Sequence, residues 1–411
     1  LNLNRRILIF LGIAGRRVKD LWILAMVGLL VMGSACSRER TADPLEGVLS
    51  GGMSATRTEA GEVGTLPGTA FPTDTQLATN SPTWTATAVL TSTPTETQFP
   101  TQTSTVTPTP DPYAPYYIDN LAQRTYGKSG EIEIVETLAE NNYFTRYLIR
   151  YPSDGLTIYG FMNVPKPDQS TSGEVDGVDN EFPVVIALHG YIDPQIYDTI
   201  DYTTRYADSL ARNGYLVLHP NLRNYPPSDN GDNLFRAGMA IDVLNLIALV
   251  KQQSDRPGIL EQADGGSIGL WGHSMGGGIA TRVITLSPDV KAAVLYGAMS
   301  GDDKQNFERI FGYFSNGERG IEELNAPDEA FQKISPIYYL ERVSAAVSIH
   351  HGKNDVDVPL TWSLDLCYRL RDLEAEVECF IYDDMPHTFH GNGDLTFMQR
   401  MVYFFDRTLK Q

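Results

Sequence analysis

The fourteen residues SIGLWGHSMGGGIA, numbers 267–280, constrain this chain more than any other stretch. An apolar run of strand character has to give way to a helix-forming run across Gly272, His273, Ser274, Met275 and Gly276. Such a turn closes only if the positions flanking the serine carry no side chain. The helix can then pack back against the strand while the serine stands out at the tip on a strained backbone. Two readings of Ser274 follow from these residues: an exposed nucleophile, or one member of a structural glycine turn. A serine hydroxyl is a weak nucleophile unless a base takes its proton and an acid holds that base. The partners have to come from elsewhere in the chain.

The order of elements says where to look. GEIEIVETL, FTRYLIRYP and LTIYGFMNVP are alternating or β-branched runs separated by turn residues, the signature of antiparallel strands. FPVVIALHG is continuously apolar, as a strand covered on both faces must be. A helical stretch at Tyr202–Arg212, the strand YLVLHP, a long helix from Leu234 to Gln252, the strand SIGLWG and a helix from Met275 to Leu286 follow. The strands VKAAVLYG, AAVSIHHG and VECFIYD come next, with a helix at Trp362–Leu373 before the last. This alternation predicts an α/β fold with a mostly parallel eight-stranded sheet flanked by helices. Functional sites of such sheets lie at the carboxyl ends of the strands. Residues 300–334 interrupt the alternation and are expected to form a helical cap. Its Phe307, Phe311, Tyr313, Phe314 and Phe331 either line a substrate pocket or only pack the cap down.

In this architecture the acid and then the base follow the serine in chain order. Only four histidines lie beyond Ser274. His350 and His351 end the strand AAVSIHHG, too early in the chain, whereas His387 and His390 lie in YDDMPHTFHG, just past the last strand. HHGKNDVDVP places Asp355 after the preceding strand, with Asp357 as an alternative acid and His390 as an alternative base.

These loops carry a resemblance. HG-x-x-D-x-x-VP, from His351 to Pro359, and YDDMPHTF are similar to the acid and base loops of the prolyl oligopeptidase-like branch of the α/β-hydrolases. Pro386 stands where that branch has a glycine. NLRNYPPSD and SPIYYLERV resemble the same branch, so the likeness runs from about Ile132 to the C-terminus. It implies a Ser274, Asp355 and His387 triad acting through an acyl-enzyme, without a metal or other cofactor. It also implies an oxyanion hole made by the backbone N–H groups of Met275 and Tyr191, with His189 bracing the Tyr191 loop. The implied substrates are short peptides or amides; a carboxylesterase acting on carbohydrate or lipid esters is the alternative. A non-catalytic surface binding module is the reading from another class. The roughly 300 residues after the stalk are taken up by the hydrolase domain, so the β-propeller of larger members is not expected.

The first part of the chain differs in kind. Arg5, Arg6, Arg16, Arg17 and Lys19 precede the apolar run LWILAMVGLLVMG, closed by Ser34, Ala35 and Cys36. This is a secretory-signal pattern. Cys36 resembles the lipidated cysteine of a bacterial lipoprotein box, although Gly33 departs from it; an uncleaved anchor, or cleavage near Ala35 without lipidation, is the alternative. Between Thr65 and Thr109 there are seventeen threonines among repeated prolines, and no Lys or Arg occurs between Arg57 and Arg124. So few apolar residues cannot offset the entropy of ordering the backbone. The expected organisation is a signal or lipoprotein-type segment at 1–36, a disordered Thr/Pro-rich stalk at 37–112, and an α/β-hydrolase domain at 113–411. A membrane partner and an extracytoplasmic, surface-anchored location follow. The formal charge of −19 makes nucleic acid an unlikely partner. Three cysteines exclude a disulfide framework and match no zinc spacing. Cys367 and Cys379 are expected to pack as small hydrophobes, with a bond between them as the alternative.

Overall fold

The computed structural model describes residues 110–128, 130–166 and 181–410. The signal-type segment, Cys36 and all but the last three residues of the stalk lie outside them. Among the described residues no helix is long and apolar enough to cross a membrane.

A short helix α1 (Ile118–Ala122) leads into strands β1 (Glu133–Glu140), β2 (Phe144–Ser153), β3 (Leu156–Pro165) and β4 (Phe182–Leu188). Then come α2 (Thr204–Arg212), β5 (Leu216–Pro220), α3 (Ala237–Gln253), β6 (Ala263–His273), α4 (Met275–Leu286) and β7 (Val290–Tyr296). The cap holds α5 (Asp303–Arg309), a π-helical turn (Ile310–Phe314), α6 (Ile321–Leu324) and α7 (Asp328–Ile334). The chain closes with β8 (Ala346–Gly352), α8 (Leu360–Asp372), β9 (Val377–Tyr382) and α9 (Gly391–Leu409).

The sheet has nine strands, not the expected eight, in the order β1-β2-β3-β5-β4-β6-β7-β8-β9. All three N-terminal segments join it, as an antiparallel meander that pairs through β3 with β5. From β5 to β9 every pairing is parallel. The chain crosses from β4 to β5 on one side and then to β6 on the other. The loops after β4 and β6 therefore flank the switch point, where such sheets place their ligands.

Both faces of the parallel part are covered, which explains its continuous apolar runs. Along β4, Val184, Ile186 and Leu188 face the core beneath α3 and α4. Val185 and Ala187 face the opposite core, filled by Tyr206 of α2 and by Phe397, Met401, Phe404 and Phe405 of α9. Their spacing, i, i+4, i+7 and i+8, places these α9 side chains on one helical face.

The cap has its own cluster, in which Phe235, Phe307, Ile310, Phe331 and Ile334 meet. Buried Arg282 of α4 pins it, pairing with Asp303 at 2.5 Å and donating to the Ile334 carbonyl at 2.8 Å. Cys367 and Cys379 are bonded to each other, correcting their expected role as separate apolar fillers. The chain leaves Cys367 in α8, turns, and returns as β9, which brings the two Cα atoms within 6.5 Å.

Candidate active site

Ser274 sits between β6 and α4 at φ 56°, ψ −116°, a conformation few non-glycine residues adopt. The flanking glycines are sterically required. A Cβ at Gly272 would lie 2.4 Å from the Gly276 carbonyl oxygen, and one at Gly276 would lie 2.2 Å from that of Leu188. The turn is also tied through the serine's own backbone. Its N–H donates to the Tyr296 carbonyl at 2.9 Å, and its carbonyl accepts from Met299 at 3.0 Å. These ties fix a strained residue where it stands.

Asp355 and His387 come from the loops after β8 and β9. Asp355 Oδ2 lies 2.7 Å from His387 Nδ1. Its Oδ1 accepts the N–H groups of Asp357 and Val358 at 2.9 and 2.8 Å. A second imidazole reaches the same carboxylate, with His351 Nε2 at 3.2 Å from Oδ2. That nitrogen also faces the Val358 carbonyl at 3.0 Å, so it carries the proton, and Nδ1 accepts from the Ser363 hydroxyl at 2.7 Å. Burial pushes the Asp355 carboxyl up, but hydrogen bonds from His351 and His387, the charge of His387 and the Val358 N–H outweigh it. The carboxyl ends well below the usual range.

Ser274, Met275, Tyr191 and His387 all line one cavity of about 390 Å³. The Ser274 hydroxyl makes no hydrogen bond among the described residues; in unliganded enzymes the nucleophile–base bond commonly tightens only with substrate. Met275 is the first residue of α4, where backbone N–H groups lack intrahelical acceptors. The Tyr191 loop lies against the turn, because a Cβ at Gly190 would come within 3.2 Å of Ser274 Cβ. Asp357 lines the cavity beside the triad candidates, whereas His390 is exposed at the cap of α9 and does not line it. Asp355, Asp357 and His387 each offer an atom within 4.8 Å of the others. A cation there would compete with imidazoles and backbone N–H groups for the Asp355 oxygens.

A polar chain not evident in the sequence joins the three loops. The Gly190 N–H donates to the Tyr202 oxygen at 3.1 Å, and the Tyr202 hydroxyl lies 2.6 Å from His273 Nδ1. His273 Nε2 then meets the His387 carbonyl at 3.2 Å. Burial, followed by the charge of His387, pushes the His273 imidazole down to about 3, so it is neutral and carries one proton. That proton belongs on Nε2, facing a carbonyl, and Nδ1 accepts from Tyr202. His189 braces its loop as expected, with its ring nitrogens 2.7 Å from the Gly190 carbonyl and 2.9 Å from that of Asn221.

The cap aromatics divide between the two expected roles. Phe307 and Phe314 line the cavity, and Phe307 and Phe331 also pack edge-on against Phe235 inside the cap.

Known families match the chain in two overlapping parts. Residues 183–332 match the alpha/beta hydrolase fold family, and residues 258–411 match the prolyl oligopeptidase family. The chain has the α/β-hydrolase fold, and its C-terminal part is similar to the prolyl oligopeptidase family. Its class is that of a serine hydrolase. Among solved structures, acetyl xylan esterase 1 from Thermoanaerobacterium sp. is similar at 17% identity and a TM-score of 0.51, covering 72% of this chain and 95% of its own. A Mycobacterium tuberculosis puromycin-hydrolysing peptidase is similar at 20% identity and a TM-score of 0.51, covering 66% of this chain and 40% of its own. At such identities the likeness is one of fold.

Proposed function

We propose that this hydrolase works through an acyl-enzyme on Ser274, with His387 as base and Asp355 as the acid that orients it. The observation that carries the reading is the 2.7 Å bond between His387 and Asp355 at the wall of the cavity that also holds Ser274. His387 Nδ1 is held by the carboxylate, which leaves Nε2 to take the serine proton and later return it to the leaving group. The negative oxygen formed in between falls to the N–H groups of Met275 and Tyr191. Short peptides or amides are the proposed substrates, in keeping with the prolyl oligopeptidase match. Small carboxylic esters are the second reading, favoured by the likeness to acetyl xylan esterase, which spans nearly all of that protein. The two share every step up to the identity of the leaving group.

The same reading places the domain outside the cytoplasm. The basic and apolar N-terminal segment ending at Cys36 supports export and a lipid anchor. The Cys367–Cys379 bond supports an oxidising compartment. Fluorophosphonate labelling followed by peptide mass mapping tests the chemistry: Ser274 should carry the label, and modification elsewhere only would overturn the assignment. Matched peptide anilides and esters then rank the two substrate classes.

A further inference from the structure

We infer that Arg236 recognises a carboxylate on the acyl portion of the substrate; the inference rests on Ser274 being the nucleophile. The Arg236 side chain lines the same cavity as Ser274. It stacks on Phe307 at 5.6 Å, yet among the described residues no hydrogen bond or ion pair reaches its guanidinium. Burial, the largest influence on it, disfavours its charge. A guanidinium has five N–H donors and no way to shed its proton, so a partly desolvated one without an acceptor is costly. An oxygen anion delivered by a ligand removes that cost, and a carboxylate fits the planar fork of donors.

The backbone aims the side chain there. Phe235 and Arg236 both adopt left-handed conformations, at φ 54° and 56°. This puts Phe235 into the cap cluster while Arg236 faces the cavity just before α3. Neither residue is a glycine, so the conformation is one the surroundings impose.

The charges nearby decide which part of the substrate it meets. Asp303, Glu323 and Arg282 are the charged groups acting on Arg236, and all belong to the cap and α4. Asp303 is already paired with Arg282. Glu323 also lines the cavity, beyond ion-pair distance from Arg236, and burial pushes its carboxyl up. Asp357 lies beside His387. The leaving group must be near His387, which protonates it. Arg236, stacked on Phe307 and joined to neither His387 nor Asp357 by a hydrogen bond or ion pair, takes the acyl side, and Arg319, stacked on Tyr191 at 4.6 Å, adds a second cation on the cavity wall.

The experiment compares mono(4-nitrophenyl) adipate with 4-nitrophenyl hexanoate, two acyl chains of equal length that differ by a terminal carboxylate. The expected ratio of kcat/KM favours the adipate ester at least about tenfold, a single charge-assisted contact. In Arg236→Met the ratio should collapse at least about tenfold; Arg236→Lys should keep part of it, and Glu323→Gln should raise it. A wild-type preference for hexanoate, or a ratio unmoved by Arg236→Met in a folded variant, overturns the proposal. Binding to a Ser274→Ala variant keeps this separate from the catalytic reading. There, monomethyl adipate should bind more tightly than dimethyl adipate, and Arg236→Met should erase the difference. If the wild type cleaves neither ester while this binding difference stands, the catalytic reading fails and the carboxylate site survives. Equal binding of the two adipates overturns the site itself.

Discussion

The groups around His387 and those around Arg236, all on the wall of one cavity, are built on opposite principles. Around His387 the acid and the buried imidazole are fully partnered: Asp355 is held by two imidazoles and two backbone N–H groups, and His273 by a tyrosine hydroxyl and a carbonyl. Arg236 and Glu323, by contrast, line the wall without an ion pair among the described residues. A fully satisfied network costs nothing to reorganise during a reaction, which suits catalysis. An unsatisfied charge is paid for in stability and relieved by a ligand, which suits recognition. Substitutions in the first group should therefore act on kcat, and those in the second on the choice between substrates.

The largest expected break comes from the proposed triad. Ser274→Ala or His387→Ala should lower kcat by about 10⁴-fold or more, and the double variant little further, because the residues act as a unit. Asp355→Asn should cost about 10³- to 10⁴-fold, mainly by holding the wrong His387 tautomer. Stopped assays on an activated ester check both, and additive losses would show that the groups do not cooperate.

Stability should respond to pH through the sealed imidazoles. His219, His273 and His350 are each pushed down to about 3, by burial above all. The unfolded chain binds more protons than the folded one between that value and an ordinary histidine pKa of about 6.5. Stability is complete above this window and falls on acidification, by about 1.4 kcal/mol per pH unit for each group. The depressed Asp355 carboxyl contributes stability that is present above its unfolded pKa of about 3.9 and is lost as pH falls below it, so its loss overlaps the acid end of the histidine window. Urea titrations at pH 7, 5 and 4 check this, and a flat profile would contradict the buried, neutral rings.

The disulfide sharpens the comparison, because Cys367 follows the acid loop and Cys379 precedes the base loop. Cys367→Ser with Cys379→Ser should cost up to about 3 kcal/mol by denaturation, as for other short closed loops. The smallest effect is expected at Tyr202→Phe. Loss of its hydroxyl frees His273 Nδ1 and the Gly190 N–H, and kcat should fall about tenfold with KM little changed. A pure KM effect would place Tyr202 in binding instead.

The sequence makes the proposed triad far more legible than the groups around Arg236. The glycine turn, the acid loop and the base loop are local motifs, each tied to the end of a strand that apolar runs betray. Met275–Leu286 was legible to the residue, because the turn fixes where the helix begins. The closing helix α9 carries a clear signal in Phe397, Met401, Phe404 and Phe405, which recur at helical spacing. His351 stands too early in the chain to be the expected base, yet it reaches Asp355 because the acid loop doubles back over its own strand. Tyr202 and Arg236 carry no motif. Tyr202 meets His273 across 71 positions, and the left-handed turn at Phe235 and Arg236 lacks the glycine that would announce it. The Cys367–Cys379 bond depended on how α8 is laid over β9, which spacing alone does not give.

The distribution of imidazoles has one more consequence. Of the seven histidines, five are buried: His189, His219, His273, His350 and His351. Only His387 and His390 reach solvent to any degree. To an imidazole-directed acylating reagent such as diethyl pyrocarbonate, the native molecule is thus nearly a two-histidine protein. Its inactivation should follow the modification of one of the two, and an occupied cavity should shield that one while leaving the other open to attack.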